Sequence, residues 1–294
     1  MNVSDLERSR AFYEAHTPLG VCARIEARGQ RFGALGIESG SFVGYLLKDD
    51  SPGNPCAVQL VQWQQPVPTG TTYLSHTNPG YFRMCFQLSD VAGFYDNVVA
   101  AGVEPLSPLR LPKGEHSTGR PSFSFRDPDG AVLQFVTLAG GDRLYHTNCN
   151  TADLQRAHEF YEGVIGLHCF IHYTTHVPEN HTFGPGGELA SHDARLYCTL
   201  DGDPAEPPVF ALDVVESTFP RPTGHIYTEP NNVGIARVAV QVSSVDAAYE
   251  SLRAASGVSV AGPPELWDLG SDVGPVKTLV VRSPDGAPLE LVEM

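Results

Sequence analysis

Basic residues are scarce in this 294-residue chain: 19 lysines and arginines stand against 34 aspartates and glutamates, a formal charge of −15. That balance repels phosphate backbones and anionic membrane surfaces, so no nucleic-acid partner is expected. Long apolar runs are missing too; nowhere do about 18 apolar residues run together, the length a membrane helix needs. The opening MNVSDLERSRAFYEAH is polar and amphipathic, so neither a span nor a secretion signal is expected. The six cysteines, Cys22, Cys56, Cys85, Cys149, Cys169 and Cys198, form no CxxC or CxxxC pair. Zinc-ribbon and thioredoxin-type spacings are therefore excluded, and reduced thiols in a cytoplasmic protein are expected. GxxxxGK, GxGxxG after a strand and GxSxG are absent as well, which leaves nucleotide and serine-hydrolase chemistry without support.

What the chain has in quantity is turn chemistry. Its 29 glycines and 24 prolines accompany 41% apolar and only 18% charged residues, a composition that suits short strands and many turns rather than a helical bundle or a disordered chain. It also repeats itself. NVSDLERSRAFYEAHTPLGV at the start recurs as NTADLQRAHEFYEGVIGLHC from Asn150, with Asp5, Leu6, Phe12 and Tyr13 answering Asp153, Leu154, Phe160 and Tyr161. FQLSDVAGFYDNVVAAGV from Phe86 answers VQVSSVDAAYESLRAASGV from Val240, and FRDPDGAVLQFVTL from Phe125 answers VRSPDGAPLELVEM from Val281. The chain is thus read as two halves of two related units each. Every unit carries an alternating strand, an Asp or Ser helix cap, an amphipathic helix and three turn-linked strands, a βαβββ order. DPDG at Asp127 and SPDG at Ser283 supply the turn before each half's last strand.

Read together, HTNCNTADLQRAHEFYEGVIGL from His146 and SPDGAPLELVE from Ser283 resemble the vicinal oxygen chelate superfamily, which contains glyoxalase I, bleomycin and fosfomycin resistance proteins, methylmalonyl-CoA epimerase and type I extradiol dioxygenases. The resemblance spans nearly the whole chain. It implies an α+β fold of four βαβββ units paired into two half-open barrel modules, arranged as in the extradiol dioxygenases. The N-terminal module is expected over 1–140 and the C-terminal module, with the active site, over 141–294. Met1 stands only four residues before Asp5, whereas His146 stands seven before Asp153. The first unit is therefore expected to lack most of its leading strand.

The resemblance also implies a site inside a barrel, with two first-strand ligands and a final-strand glutamate holding one divalent metal (Fe, Mn or Zn). His146 occupies the first-strand histidine position and Glu290, in PLELVE, the carboxylate position. In GIARVAVQV the second histidine is replaced by Arg237, whose guanidinium has no lone pair to give and repels a cation. Three readings stay open. A metal binds through His146 and Glu290 with a third ligand from His172, His176, His181 or His192. Alternatively no metal binds, and His146 moves a proton while Arg237 grips an oxyanion or Glu290. In the third reading the trio is a buried polar remnant. In the N-terminal half the corresponding places hold Arg83, Gln134 and Gln59, so no metal site is expected there and that half is read as scaffold.

Seven of the 11 histidines fall between His146 and His192; His168, His172 and His176 are spaced to share one face of a strand, read as solvated. Tyr173, Phe183, Tyr197, Tyr227 and Trp267 are candidates to line an apolar pocket, with His176 and His225 as polar handles. PENHTFGPGGELASHD from Pro178 and FPRPTGHIYTEPNN from Phe219 are long enough to act as mouth loops, with His181, His225 and Tyr227 as their acid or base groups. The leading expectation is an isomerase- or lyase-type enzyme acting on a small, largely apolar carbonyl, enol or phenol compound. A ligand-sequestering resistance protein and a metal-dependent dioxygenase are the alternatives. The expected partner is the small molecule, with no membrane and with a homo-oligomer left open.

Overall fold

In each unit the same local device starts the helix. Asp5, Asp90, Asp153 and Ser244 precede α1 (Leu6–His16), α2 (Val91–Ala100), α3 (Leu154–His158) and α4 (Val245–Ala254). Their side chains accept from the backbone N–H groups of Arg8, Gly93, Arg156 and Ala247 at 3.0, 2.9, 3.0 and 3.2 Å. Each cap satisfies a donor the first turn leaves open. The third helix continues as a π-helical turn over Glu159–Val164. This computed structural model describes residues 1–51, 56–110, 120–177, 190–198, 210–255 and 258–294.

The third unit shows the full βαβββ order, while among the described residues the second has two strands after its helix and the fourth has four. β1 (Gly20–Phe32), β2 (Ile37–Lys48) and β3 (Val58–Gln65) belong to the first unit; β4 (Gly80–Leu88), β5 (Ser122–Arg126) and β6 (Val132–Thr137) to the second. β7 (Arg143–Thr151), β8 (His168–Val177), β9 (Ala190–Cys198) and β10 (Ala211–Phe219) build the third. β11 (Val238–Gln241), β12 (Ser259–Val260), β13 (Glu265–Asp268), β14 (Pro275–Arg282) and β15 (Pro288–Glu293) build the fourth. The two PDG turns behave as read: Gly130 and Gly286 take φ of 95° and 97°, and Asp127 and Ser283 accept from the backbone N–H groups of Ala131 and Ala287 at 2.7 and 3.1 Å.

Seven strands run in the order β5-β6-β4-β7-β10-β9-β8, so the second and third units share one sheet across the expected boundary at 140. The join is the antiparallel pairing of β4 with β7, in which Arg83 faces Asn148 and Cys85 faces His146. A short link makes it possible: Gln87 donates from Nε2 to the carbonyls of Ala139 and Gly141 at 2.8 and 2.9 Å. The first and fourth units are joined elsewhere. Asn2 bridges both Val61 and Gly234, so residues 1–3 stand as a short leading strand between β3 and the approach to β11. Among the described residues none of the three sheets closes into a barrel.

Helix and sheet halves do pack within each half of the chain. One core gathers Leu6, Tyr13, Leu60, Phe86, Phe123, Phe125 and Phe135 from the first two units. Another gathers Leu154, Tyr161, Tyr197, Val214, Val245, Leu279 and Leu289 from the last two. A third core joins Ile25, Phe32, Phe42, Val61 and Trp63 of the first unit to Trp267 and Val280 of the fourth.

Candidate active site

Side chains alternate along a strand, so register decides which residues share a face. On the seven-stranded sheet Arg83 and Asp213 both pair with Asn148, and Cys85 pairs with His146 on one side and Gln134 on the other. Leu196 pairs with Asp213, and Ala194, two places along, pairs with Tyr173. Arg83, Cys85, Gln134, His146, Asn148, Tyr173 and Asp213 therefore occupy the face away from the helices.

Asp213, 1% exposed, is the hub of this face. Its Oδ2 lies 3.0 Å from Arg83 Nη2 and 3.8 Å from His146 Nδ1, and its Oδ1 accepts from Tyr173 Oη at 3.2 Å. Asn148 Nδ2 donates to the Asp213 carbonyl at 3.2 Å and fixes the backbone there. Burial raises the Asp213 pKa, against the opposing pull of Arg83 and the Tyr173 hydroxyl. His146 is pushed well below the ordinary histidine value by burial and by the Arg83 charge, so its imidazole is neutral near pH 7. Its Nδ1 is buried without a hydrogen-bond partner. A proton arriving on that ring would place an imidazolium beside the Asp213 carboxylate.

Farther along the same face stands His192, which pairs with Ser217. Its ring meets that of His76 edge to face, with centroids 5.1 Å apart and an interplanar angle of 84°. Burial, then His76 and Arg83, bring the His192 pKa down to about 3, and burial and Arg83 lower that of His76.

His146 does not meet Glu290 and Arg237. Those two lie on the other sheet system, where Arg237 Nε donates to Glu290 Oε2 in a buried ion pair. Thr278 Oγ1 donates to Glu290 Oε1 at 2.9 Å, and Arg237 Nη2 donates to Gln59 Oε1 at 3.3 Å. The separation follows from the pairing of units: β7, which bears His146, joins the second unit, while β15 joins β11 and faces the first. The expected trio is thus replaced by two clusters, His146 with Arg83 and Asp213, and Glu290 with Arg237 and Gln59.

The other expected pocket residues divide similarly. Tyr173 joins His146. Tyr197 lies on the helix-facing side, 1% exposed, with its hydroxyl 3.0 Å from His158 Nδ1. Trp267 is buried against Phe32, its ring 5.8 Å from the Arg237 guanidinium carbon. Tyr227 stacks on Tyr73 with centroids 4.4 Å apart, and together with Arg237 lines a cleft that His146 does not line. His225 is exposed on its loop. His168 and His172 sit on an exposed strand, where His172 Nε2 is 2.8 Å from Asp193 Oδ1. The side chain of His176, and His181 and Phe183 altogether, lie outside the described residues.

Asp213 escaped the sequence reading although a signal for it exists. ALDVVE, from Ala211, aligns with PLELVE, from Pro288, which puts Asp213 at the place of Glu290 and gives the third unit a carboxylate of its own. Each sheet system then presents matching strand positions, Arg83, Gln134 and Asp213 in one and Arg237, Gln59 and Glu290 in the other, with His146 added only in the first. Neither set suits a three-ligand divalent metal. Each includes a guanidinium already bonded to the carboxylate, and an arginine gives no lone pair. Among the described residues no three His, Cys, Asp or Glu side chains converge as a metal site.

The chain belongs to the Glyoxalase/Bleomycin resistance protein/Dioxygenase superfamily, which it matches over residues 1–135 and 143–291. Among solved structures it is similar to glyoxalase I from Zea mays, at 17% identity and a TM-score of 0.64 over 99% of this chain and 89% of that one. A point variant of the same maize enzyme superposes with a TM-score of 0.68 at 17% identity, covering 99% and 91%. A protein of Bacillus subtilis provisionally called a dioxygenase follows with a TM-score of 0.55 at 12% identity, covering 99% and 82%. No curated protein matches the chain. At these identities the likeness establishes the fold. Among the described residues no helix is long and apolar enough to cross a membrane.

Proposed function

We propose that this chain is an enzyme of isomerase or lyase type that moves a proton on a small, largely apolar carbonyl, enol or phenol compound, and that the work is done at His146, Arg83, Asp213 and Tyr173. The observation that carries this reading is the neutral, buried His146 imidazole, its Nδ1 without a partner, beside the Arg83–Asp213 pair. His146 is a base in its uncharged form. It takes the proton from the carbon next to a carbonyl; the electron pair left behind moves onto the carbonyl oxygen; the enolate is stabilised by the nearby Arg83 charge, while the Tyr173 hydroxyl orients Asp213. Asp213 steadies the imidazolium, which then returns the proton to the same carbon or to its neighbour, so charge and atoms balance.

Iron-dependent ring cleavage is not part of the proposal, because the donors at either cluster do not make a three-ligand centre. The absence of a disulfide among the described cysteines supports a reducing, cytoplasmic setting. The reading is tested by exchange of protons next to the carbonyl in deuterated water, followed by NMR on aryl-alkyl ketones such as benzylacetone. The protein is expected to accelerate exchange, and His146→Asn to slow it by about 10²- to 10⁴-fold, the range of general-base catalysis. Equal rates for the two proteins would remove His146 from the chemistry. Ketone binding with no acceleration in the parent would replace the enzyme by a sequestering protein.

A further inference from the structure

We propose that His76 and His192 form a second polar subsite on the face that carries His146, and that it hydrogen-bonds a hydroxyl group at the far end of the substrate. This rests on the proton-transfer reading above and adds the substrate's second recognition element. Ser217, the partner of His192, is four residues beyond Asp213 on β10, which is roughly 13 Å of strand. The side chains of His192 and Asp213 lie on one face, so the two clusters stand on the same side of the sheet. The loop bearing His76 is held in place: Thr77 Oγ1 is 2.9 Å from Ser75 Oγ and 3.1 Å from Thr223 Oγ1, and the Thr223 backbone N–H donates to the Thr77 carbonyl at 2.9 Å.

Two atoms at this end ask for a ligand. His76 Nε2 and His192 Nδ1 are both buried without a hydrogen-bond partner. A neutral imidazole has one donor and one acceptor nitrogen, and a hydroxyl both donates and accepts, so one hydroxyl can satisfy the two rings once their tautomers adjust. A carboxylate fits less well. Both rings are held uncharged by burial and by Arg83, so neither offers a carboxylate a positive partner. The substrate inferred is an elongated, largely apolar ketone that carries an alcohol or phenol at the end remote from the reacting carbon.

The test is calorimetric binding of benzylacetone, its para-hydroxy derivative and its para-carboxy derivative, run beside the deuterium-exchange assay. The para-hydroxy compound is expected to bind at least about fivefold more tightly than benzylacetone, the worth of one net hydrogen bond. His76→Phe and His192→Phe should erase that preference, whereas His192→Asn, which keeps a polar atom near Nδ1, should retain part of it and also control for misfolding. The subsite is overturned by equal affinities for the first two compounds, by tightest binding of the carboxylate, by a preference that survives both Phe substitutions, or by no binding of any compound. A lost preference with His146-dependent exchange intact removes the subsite alone. A retained preference without exchange removes the proton-transfer reading alone.

Discussion

Arg83 and Asp213 meet across the join between the two halves of the chain, guanidinium Nη2 to carboxylate Oδ2 at 3.0 Å. Both side chains are nearly sealed from water, 12% and 1% exposed. Removing one partner from such a pair leaves the other charge buried. Arg83→Met is therefore expected to cost about 3 to 5 kcal/mol in urea unfolding. Adding Asp213→Asn to that variant should recover a good part of the loss. A double variant no more stable than Arg83→Met would show that the pair does not hold the join.

Glu290 offers a contrasting outcome. Its carboxylate is held by Arg237 and Thr278 on the other sheet system, so Glu290→Gln is expected to destabilise the fold by several kcal/mol, the cost of breaking a buried pair. Exchange catalysis by the folded fraction should stay within about twofold of the parent. Loss of exchange on the scale of His146→Asn would return Glu290 to the chemistry.

Acid should weaken the fold through His192. Its pKa is near 3 in the folded chain against an ordinary value of about 6.5, so the unfolded chain binds the extra proton between those pH values. The contribution of His192 is complete above pH 6.5 and is lost as pH falls towards 3. His146 and His76 act with the same sign. Asp127, pushed up to about 6 by burial, opposes them, because it gains a proton more readily when folded. Comparing the parent with His192→Asn isolates one group: their stability difference is expected to shift against the parent by about 1 kcal/mol per pH unit below 6.5. A difference independent of pH would show that His192 protonates in the fold as freely as in water.

Tyr173→Phe removes a donor from Asp213 while keeping the ring. A hydrogen bond to a charged group contributes about 1.5 to 3 kcal/mol, so the exchange rate is expected to fall about tenfold or more, with binding of benzylacetone little changed. An unchanged rate would show that the bond from Tyr173 to Asp213 does not bear on the exchange.

Much of the fold could be read from residue spacing because it is local. Asp5, Asp90, Asp153 and Ser244 each cap a helix within three residues of themselves, and the turns at Asp127 and Ser283 close within four. Such signals survive without knowledge of the rest of the chain. The choice of which units share a sheet is not local. All four units present similar strand patterns, and the outcome depends on β4 accepting β7 as a neighbour more than 50 residues from its own start. The candidate site inherited that gap. His146 is marked in the sequence by its place on a first strand, but its neighbours come from β4, β8 and β10, and for Asp213 the one signal is the equivalence of ALDVVE with PLELVE. His76, on a loop before β4, carries no repeat partner that would mark it.

The β4–β7 ladder makes the two halves inseparable in a specific sense. A chain cut between Leu138 and Asp142 gives one fragment ending with β4 bare along one edge and another beginning with β7 equally bare, each with unsatisfied amide and carbonyl rows that invite aggregation. Mixed together, the fragments carry every group needed to rebuild the ladder and to restore the Arg83–Asp213 contact, so reassembly of the cut protein would be read directly as recovered catalysis from two inert polypeptides.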